Sequence, residues 1–207
     1  HDWVQIDKEI DVDGVDGPRD FSGKAKMRWD ADAIYVLFDI EDDIYDISSS
    51  TVFLNDIAEI FVDVDNDKPQ KFDEGSYFFR YTIGESLSGW QGITEGGQTP
   101  PPDVPIGVTI NEGTGYIVEF ALPFDKIGVS DAQEGKLMGW ELVLNDRDGE
   151  SQRDMLGWMV DEDIAWRDPF RWGTIELLAD GAIAGYNQIP EKPVLTATVN
   201  GSTVNAS

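Results

Sequence analysis

From Trp29 to Asp67 the chain runs WDADAIYVLFDIEDDIYDISSSTVFLNDIAEIFVDVDND: an alternating apolar segment, an acidic and serine-rich loop, a second alternating segment, then spaced aspartates. Ile34, Val36, Phe38 and Ile40 fall on one face, with Tyr35, Leu37 and Asp39 opposite. In the second segment Ala58, Ile60, Val62 and Val64 alternate with Glu59, Phe61 and Asp63. Side chains alternate between two sides only in extended chain, so this period of two predicts strands and excludes an amphipathic helix. Apolar groups on both faces of the first segment predict a central strand.

The same period recurs along the chain. Val4 and Ile6 mark a first strand, and Ala25, Met27 and Trp29 oppose Lys24, Lys26 and Arg28 on a half-buried strand with a basic, solvated face. Tyr77, Phe79, Tyr81 and Ile83 oppose Phe78, Arg80 and Thr82. Val104 to Ile110 and Tyr116 to Leu122, joined by NEGTG, predict a hairpin. Met138 to Leu144 and Trp172 to Leu178 supply two more strands. The glycine- and proline-rich stretch from Gly84 to Asp103 and the acidic stretch from Asn145 to Pro169 predict irregular loops, and FDKIGVSD after Pro123 a single helical turn. About nine strands and no long helix predict an all-β fold, an antiparallel β-sandwich of the immunoglobulin or jelly-roll kind.

A chain of 207 residues suffices for one well-buried core. The expected organisation is a sandwich over residues 1–184, followed at 185–207 by a linker and the truncated start of a further domain. KPVLTATVNGSTV resembles the opening of a fibronectin type III-like sandwich; a disordered tail is the other reading.

Fifteen basic residues against 41 acidic ones give a formal net charge of −26. Phosphate backbones and anionic membrane surfaces need a basic face, so neither nucleic acid nor membrane is an expected partner. No apolar run reaches the roughly 18 residues of a membrane span. Such acidity fits a salty medium, and it equally fits cation ligation. Calcium takes six to eight oxygens, and Asp63, Asp65 and Asp67 in VDVDNDKP alternate just past a strand, where a tight turn would gather them. Asp146 and Asp148 in NDRDGE form a second candidate, and Asp39, Asp42 and Asp43 in DIEDD a third. Solvated acidic turns are the alternative for each.

Catalytic constellations find little support. With 41 acidic groups no glycosidase-type carboxylate pair stands out. The one histidine is His1, which leaves a Ser-His-Asp triad or a histidine zinc site without a basis. The aromatics say more. Trp3, Trp29, Trp140 and Trp172 occupy strand positions and are expected in the core, whereas Trp90, Trp158 and Trp166 lie in stretches read as loops. A sugar ring stacks its C–H face on an aromatic plane, so a loop tryptophan is a candidate platform, with a lid over the core as the alternative.

WDADAIYVLFDIEDD, NDIAEIFVDVDN, FFRYTI, GYIVEFALPF, LNDRDGESQR and AWRDPFRWGTIEL follow one another in an order and spacing that resemble carbohydrate-binding module family 9 and its broader relatives, over about residues 21–178. The resemblance implies a calcium-bearing sandwich without catalysis of its own, joined to other domains of a secreted, polysaccharide-degrading polypeptide. It also implies an oligo- or polysaccharide ligand, often the reducing-end unit of a glucan or xylan, clamped between two aromatic rings. Those rings fall on Phe53, where tryptophan is more usual, and Trp166. Polar contacts carry over to Glu59 and Arg80. Thr82, Val143 and Asp163 occupy further contact places, where sugar-binding members carry amides. A monomer is expected. The alternative is a spacer domain in which Glu59 and Arg80 form a structural ion pair.

Overall fold

In the computed structural model, residues 3–94, 97–149, 153–186, 195–199 and 202–206 are described, with backbone alone for 93–94, 97–98 and the last two stretches. In chain order the strands are β1 (Val4–Ile6), β2 (Lys8–Asp11), β3 (Phe21–Trp29), β4 (Ala33–Asp42), β5 (Ile57–Asp63), β6 (Ser76–Thr82), β7 (Ser86–Thr94), β8 (Gly97–Thr99), β9 (Ile106–Asn111), β10 (Gly115–Pro123), β11 (Leu137–Asp146), β12 (Asp154–Gly157), β13 (Gly173–Leu177), β14 (Ile183–Tyr186), β15 (Leu195–Val199) and β16 (Ser202–Ala206). Two antiparallel sheets pack face to face. The first has the order β1-β3-β4-β10-β9; the second runs β14-β13-β11-β5-β6-β7-β8, with β12 and β2 added beside β11. β4 is central, paired with β3 and β10, as its two apolar faces predict.

The inner faces form the main core. Val36, Phe38, Val118 and Phe120 of the first sheet meet Ile60, Phe79, Trp140 and Leu142 of the second. The second sheet is also covered on its outer side, where Phe61, Phe78 and Val143 pack under Phe72, Met155, Val160, Ala165 and Trp172. β5 is consequently buried at every residue, Glu59 and Asp63 on its outer side included, and has no solvated face.

The cover is fastened by polar groups with no access to water. Glu141 Oε1 accepts the amides of Leu142, Trp158 and Met159 at 3.1, 2.9 and 2.9 Å. The buried ammonium of Lys68 donates to the carbonyls of Trp172, at 2.9 Å, and Gly173. The indole of Trp172 donates to Ala165 O at 3.0 Å.

Three stretches differ from the expectation. The Gly84 to Asp103 stretch contains β7 and β8. Its glycines permit a local distortion of the strand: Gly89 has φ of 112°, which side chains rarely adopt, and a Cβ there would lie 2.1 Å from the Phe78 carbonyl oxygen, so the close approach of β7 to β6 excludes a side chain. The stretch from Asn145 likewise carries the end of β11 and all of β12, and Trp158 lies in the main core at 6% exposure. β14 pairs with β13 up to Tyr186, two residues past the expected boundary. β15 and β16 pair with each other, while the expected linker at 187–194 lies outside the described residues. After Pro123 the expected turn is present, with the Ile127 amide donating to Pro123 O at 3.2 Å.

Gly89→Ala should destabilise the fold by about 2 kcal/mol, from backbone strain plus the carbonyl clash. A urea midpoint that does not move would contradict this placement of β7.

Candidate functional site

Glu59 and Arg80 face each other across β5 and β6, on the outer side of the second sheet. Arg80 Nε donates to Glu59 Oε1 at 2.7 Å, and the guanidinium lies over the Phe78 ring, 4.8 Å from its centroid. Glu59 is buried. Burial pushes its carboxyl up, and the guanidinium of Arg80 opposes that shift.

Two loops rise beside this pair. In the loop between β4 and β5, Asn55 turns inward: its Oδ1 accepts from Ser49 N at 2.9 Å, and its Nδ2 donates to the carbonyls of Ser49 and Val52 at 3.1 and 3.2 Å. With the interior filled by an amide, Phe53 is left outside at 45% exposure. In the segment after β12, the amides of Arg167 and Asp168 both donate to Ile164 O, at 3.0 and 3.1 Å, forming a tight turn. Ala165 is buried beneath, and Trp166 stands out at 41% exposure. Phe53, Arg80, Trp90, Arg153, Asp163 and Trp166 line one cleft of about 310 Å³. Glu59 and Val143 line a small recess next to it, which also touches Asp163 and Trp166.

The structure thus brings together Phe53, Glu59, Arg80, Asp163 and Trp166. Asp163 Oδ2 is engaged by Arg153 Nη2 at 2.5 Å. Thr82 is buried in register between Ile57 and Ser86, off the cleft wall. Arg153 ends the LNDRDGESQR stretch, but nothing in the sequence singles it out as a residue of the site. Trp90 was read as a loop residue and is instead a strand residue packed edge-on against Phe78, with centroids 4.5 Å apart. A larger open groove of about 950 Å³ lies on the outer face of the first sheet, between Lys26, Tyr35, Leu37 and Glu119, and holds none of these residues.

Three carboxylate groupings have the proximity a cation needs. Asp63, Asp65 and Asp67 converge as expected, because Asn66 and Lys68 adopt φ of 56° and 53° and curl the turn. Asp63 Oδ1 is buried without a hydrogen-bond partner. Asp146 and Asp148, read as one site, separate into two. Asp146 joins Asp42 and Asp56, all buried, and Asp148 joins Asp20 and Asp43 nearer the surface. Asp39 is occupied by Lys24 at 3.0 Å. Asp42 Oδ2 and Asp146 Oδ1 are buried without partners. Burial first, then neighbouring carboxylates, push Asp56 and Asp146 up to about 9, and burial brings Asp42 to about 7. A donor set of hard oxygens with orphaned atoms fits a hard divalent cation such as calcium.

Two outcomes follow. Arg80→Met should destabilise by about 3 kcal/mol, because Glu59 is left buried and uncompensated, and adding Glu59→Gln should recover much of the loss. A double mutant no better than the single in chemical denaturation would contradict the pairing. Asp42, Asp56 and Asp146 hold protons in the folded chain that the unfolded chain releases near pH 4. Their contribution to stability is therefore present below that pH and lost as pH rises toward 7–9. The chelated protein should melt at progressively lower temperature from pH 5 to 9 by calorimetry; a flat profile would contradict the electrostatics of this well.

Comparison with known proteins supplies the context. The model of the carbohydrate family 9 binding domain-like family matches residues 1–180. The exoglucanase XynX of Acetivibrio thermocellus and the endo-1,4-beta-xylanase A of Thermoanaerobacterium saccharolyticum are each 29% identical over 178 residues, 84% of this chain, and the chain spans 15% and 14% of their lengths. A family 9 carbohydrate-binding module from Caldicellulosiruptor kristjanssonii in complex with cellotriose superposes with a TM-score of 0.69 at 21% identity, covering 93% of this chain and 88% of that one. A family 9 module from the same organism in complex with glucose gives 0.68 at 20% identity, covering 84% and 83%. The matched region contains both sheets apart from β14 and every residue of the cleft, and the chain belongs to the carbohydrate family 9 binding domain-like family of carbohydrate-binding modules.

Proposed function

We propose that this chain is a non-catalytic sugar-binding module that clamps a glycosyl unit, at the reducing end of a glucan or xylan chain, between Phe53 and Trp166. The observation that carries this reading is that these two rings, both exposed, line the same cleft as the guanidinium of Arg80. Aromatic planes take the C–H faces of a pyranose, and the buried Glu59 and the part-buried Arg80 offer an acceptor and a rigid set of donors for its hydroxyls. Asp163 provides a further acceptor at the rim. The similar modules crystallised with cellotriose and with glucose support a gluco-configured ligand. The kinship with segments of an exoglucanase and xylanases supports a secreted polypeptide in which such a module accompanies catalytic domains. The sandwich is then one domain of it, and 185–207 are read as a linker and the start of a further domain.

Calcium belongs to the same reading. Asp63, Asp65 and Asp67 would hold one ion, and Asp42, Asp56 and Asp146 another, with Asp148 in the shallower grouping of Asp20 and Asp43. Bound there, the ion supplies charge neutralisation to a chain of net charge −26.

A spacer domain is the second reading. It is favoured by the mutual satisfaction of Glu59 with Arg80 and of Asp163 with Arg153.

Titration with cello- and xylo-oligosaccharides should perturb tryptophan emission. Trp166→Ala should weaken binding at least about tenfold, roughly 1.4 kcal/mol. Flat emission across both series would favour the spacer. Chelation should lower the melting temperature, since an ion at 100 times its Kd contributes about 2.7 kcal/mol to the folded state. An unchanged melting curve would remove calcium from the account.

A further inference from the structure

The two clamp rings ride on separate loops, one between β4 and β5 and one after β12, with more than a hundred residues of chain between them. A two-ring clamp binds well only if its gap is set in advance, because ordering loops on binding subtracts directly from affinity. Arg153 lies between the two loops. Its Nη1 donates to the carbonyl oxygen of Phe53 at 3.4 Å, and its guanidinium lies over the Phe53 ring, 5.4 Å from the centroid. Its Nη2 donates to Asp163 Oδ2 at 2.5 Å, three residues before Trp166 and next to Ile164, whose carbonyl closes the turn. The side chain is only 17% exposed, and the backbone runs straight into β12, which is paired to β11. A guanidinium presents donors in fixed, divergent directions, so one group can hold two acceptors on different loops; an ammonium on a flexible stem is a point charge and lacks that rigid fork.

We propose that Arg153 is the positioning residue of the clamp: a cross-tie, anchored at the start of β12, that binds the Phe53 loop to the Trp166 turn and fixes the gap between the rings before sugar arrives. The proposal rests on the reading of Phe53 and Trp166 as the sugar-binding rings. The tie itself is a property of the sugar-free protein and is tested there. Because the ion pair is partly exposed, the tie should loosen as salt rises.

The experiment is hydrogen exchange by mass spectrometry on the calcium-equilibrated full chain without sugar, comparing wild type, Arg153→Met and Arg153→Lys, followed by calorimetric titration with cellotriose. The loop amides to follow are those of Leu54, bonded to Thr51 O at 2.9 Å, and Arg167, bonded to Ile164 O at 3.0 Å. Arg153→Met should speed exchange several-fold in both loops, leave β5, β6 and β11 at wild-type rates, and weaken cellotriose about tenfold with a more unfavourable entropy. Arg153→Lys should fall between. Unchanged exchange in the two loops overturns the tie, even if affinity falls, since Arg153 would then act as a direct ligand contact. Faster exchange spread through β5 and β11 also overturns it, in favour of a general packing role. If wild type binds no sugar, the clamp reading fails while the exchange data still decide the tie. If Arg153→Met does not fold, Asp163→Ala removes the acceptor on the other side of the same tie and must speed exchange in the Trp166 turn; unchanged exchange there overturns it.

Discussion

A carboxylate removed from water must be met by donors, and Glu141 is met by three backbone amides, two of them from the segment that crosses the outer face of the second sheet. That fastening decides what the segment can do. Together with Lys68 holding the carbonyls of Trp172 and Gly173, it pins the cover at its start and its end, so the intervening turn is presented at a fixed height above β5 and β6. Trp166 projects because its neighbours Ala165 and Trp172 are used up in the packing beneath. A sheet buried on both sides is stiff, and it makes a rigid floor for Glu59 and Arg80.

The other half of the cleft is organised by charge. Asp56, which closes the Phe53 loop, accepts the amide of Asp46 at 2.6 Å and that of Arg147 at 3.0 Å, while belonging to the buried grouping with Asp42 and Asp146. Arg147 in turn meets Asp46 at 2.6 Å. The root of the Phe53 loop and the acidic well therefore share residues. The chain's excess of acid and the loop that carries an aromatic ring thus meet at Asp56.

Much of this was legible in the sequence because period-two alternation reports burial directly. The faces of β3, β4, β5 and β6 follow from their residue order, as does the shared side of Glu59 and Arg80. Cross-chain proximity leaves no such mark. Asp146 and Asp148 are neighbours in NDRDGE yet diverge, because consecutive even-numbered positions at a strand end stop sharing a face once the strand ends. Asp20 and Asp56 join them from elsewhere in the chain. Gly89 misled in the opposite sense, since glycine marks turns far more often than close strand approach. Trp158 misled for a related reason: its stretch is irregular, yet its amide donates to Glu141 and to Leu142 O, and so draws the indole into the core. Arg153 carried no local signal, because its partners lie 100 residues before it and 10 after.

We propose that sugar sits between Phe53 and Trp166, on the covered side of the second sheet. A crystal structure of the protein grown with cellotriose tests it most directly. The account predicts a pyranose ring between the two aromatic planes, with its hydroxyls within hydrogen-bond reach of Arg80 and Glu59. A glycan lying instead along the groove of Lys26, Tyr35 and Glu119 on the first sheet, with the cleft filled only by water, would contradict it.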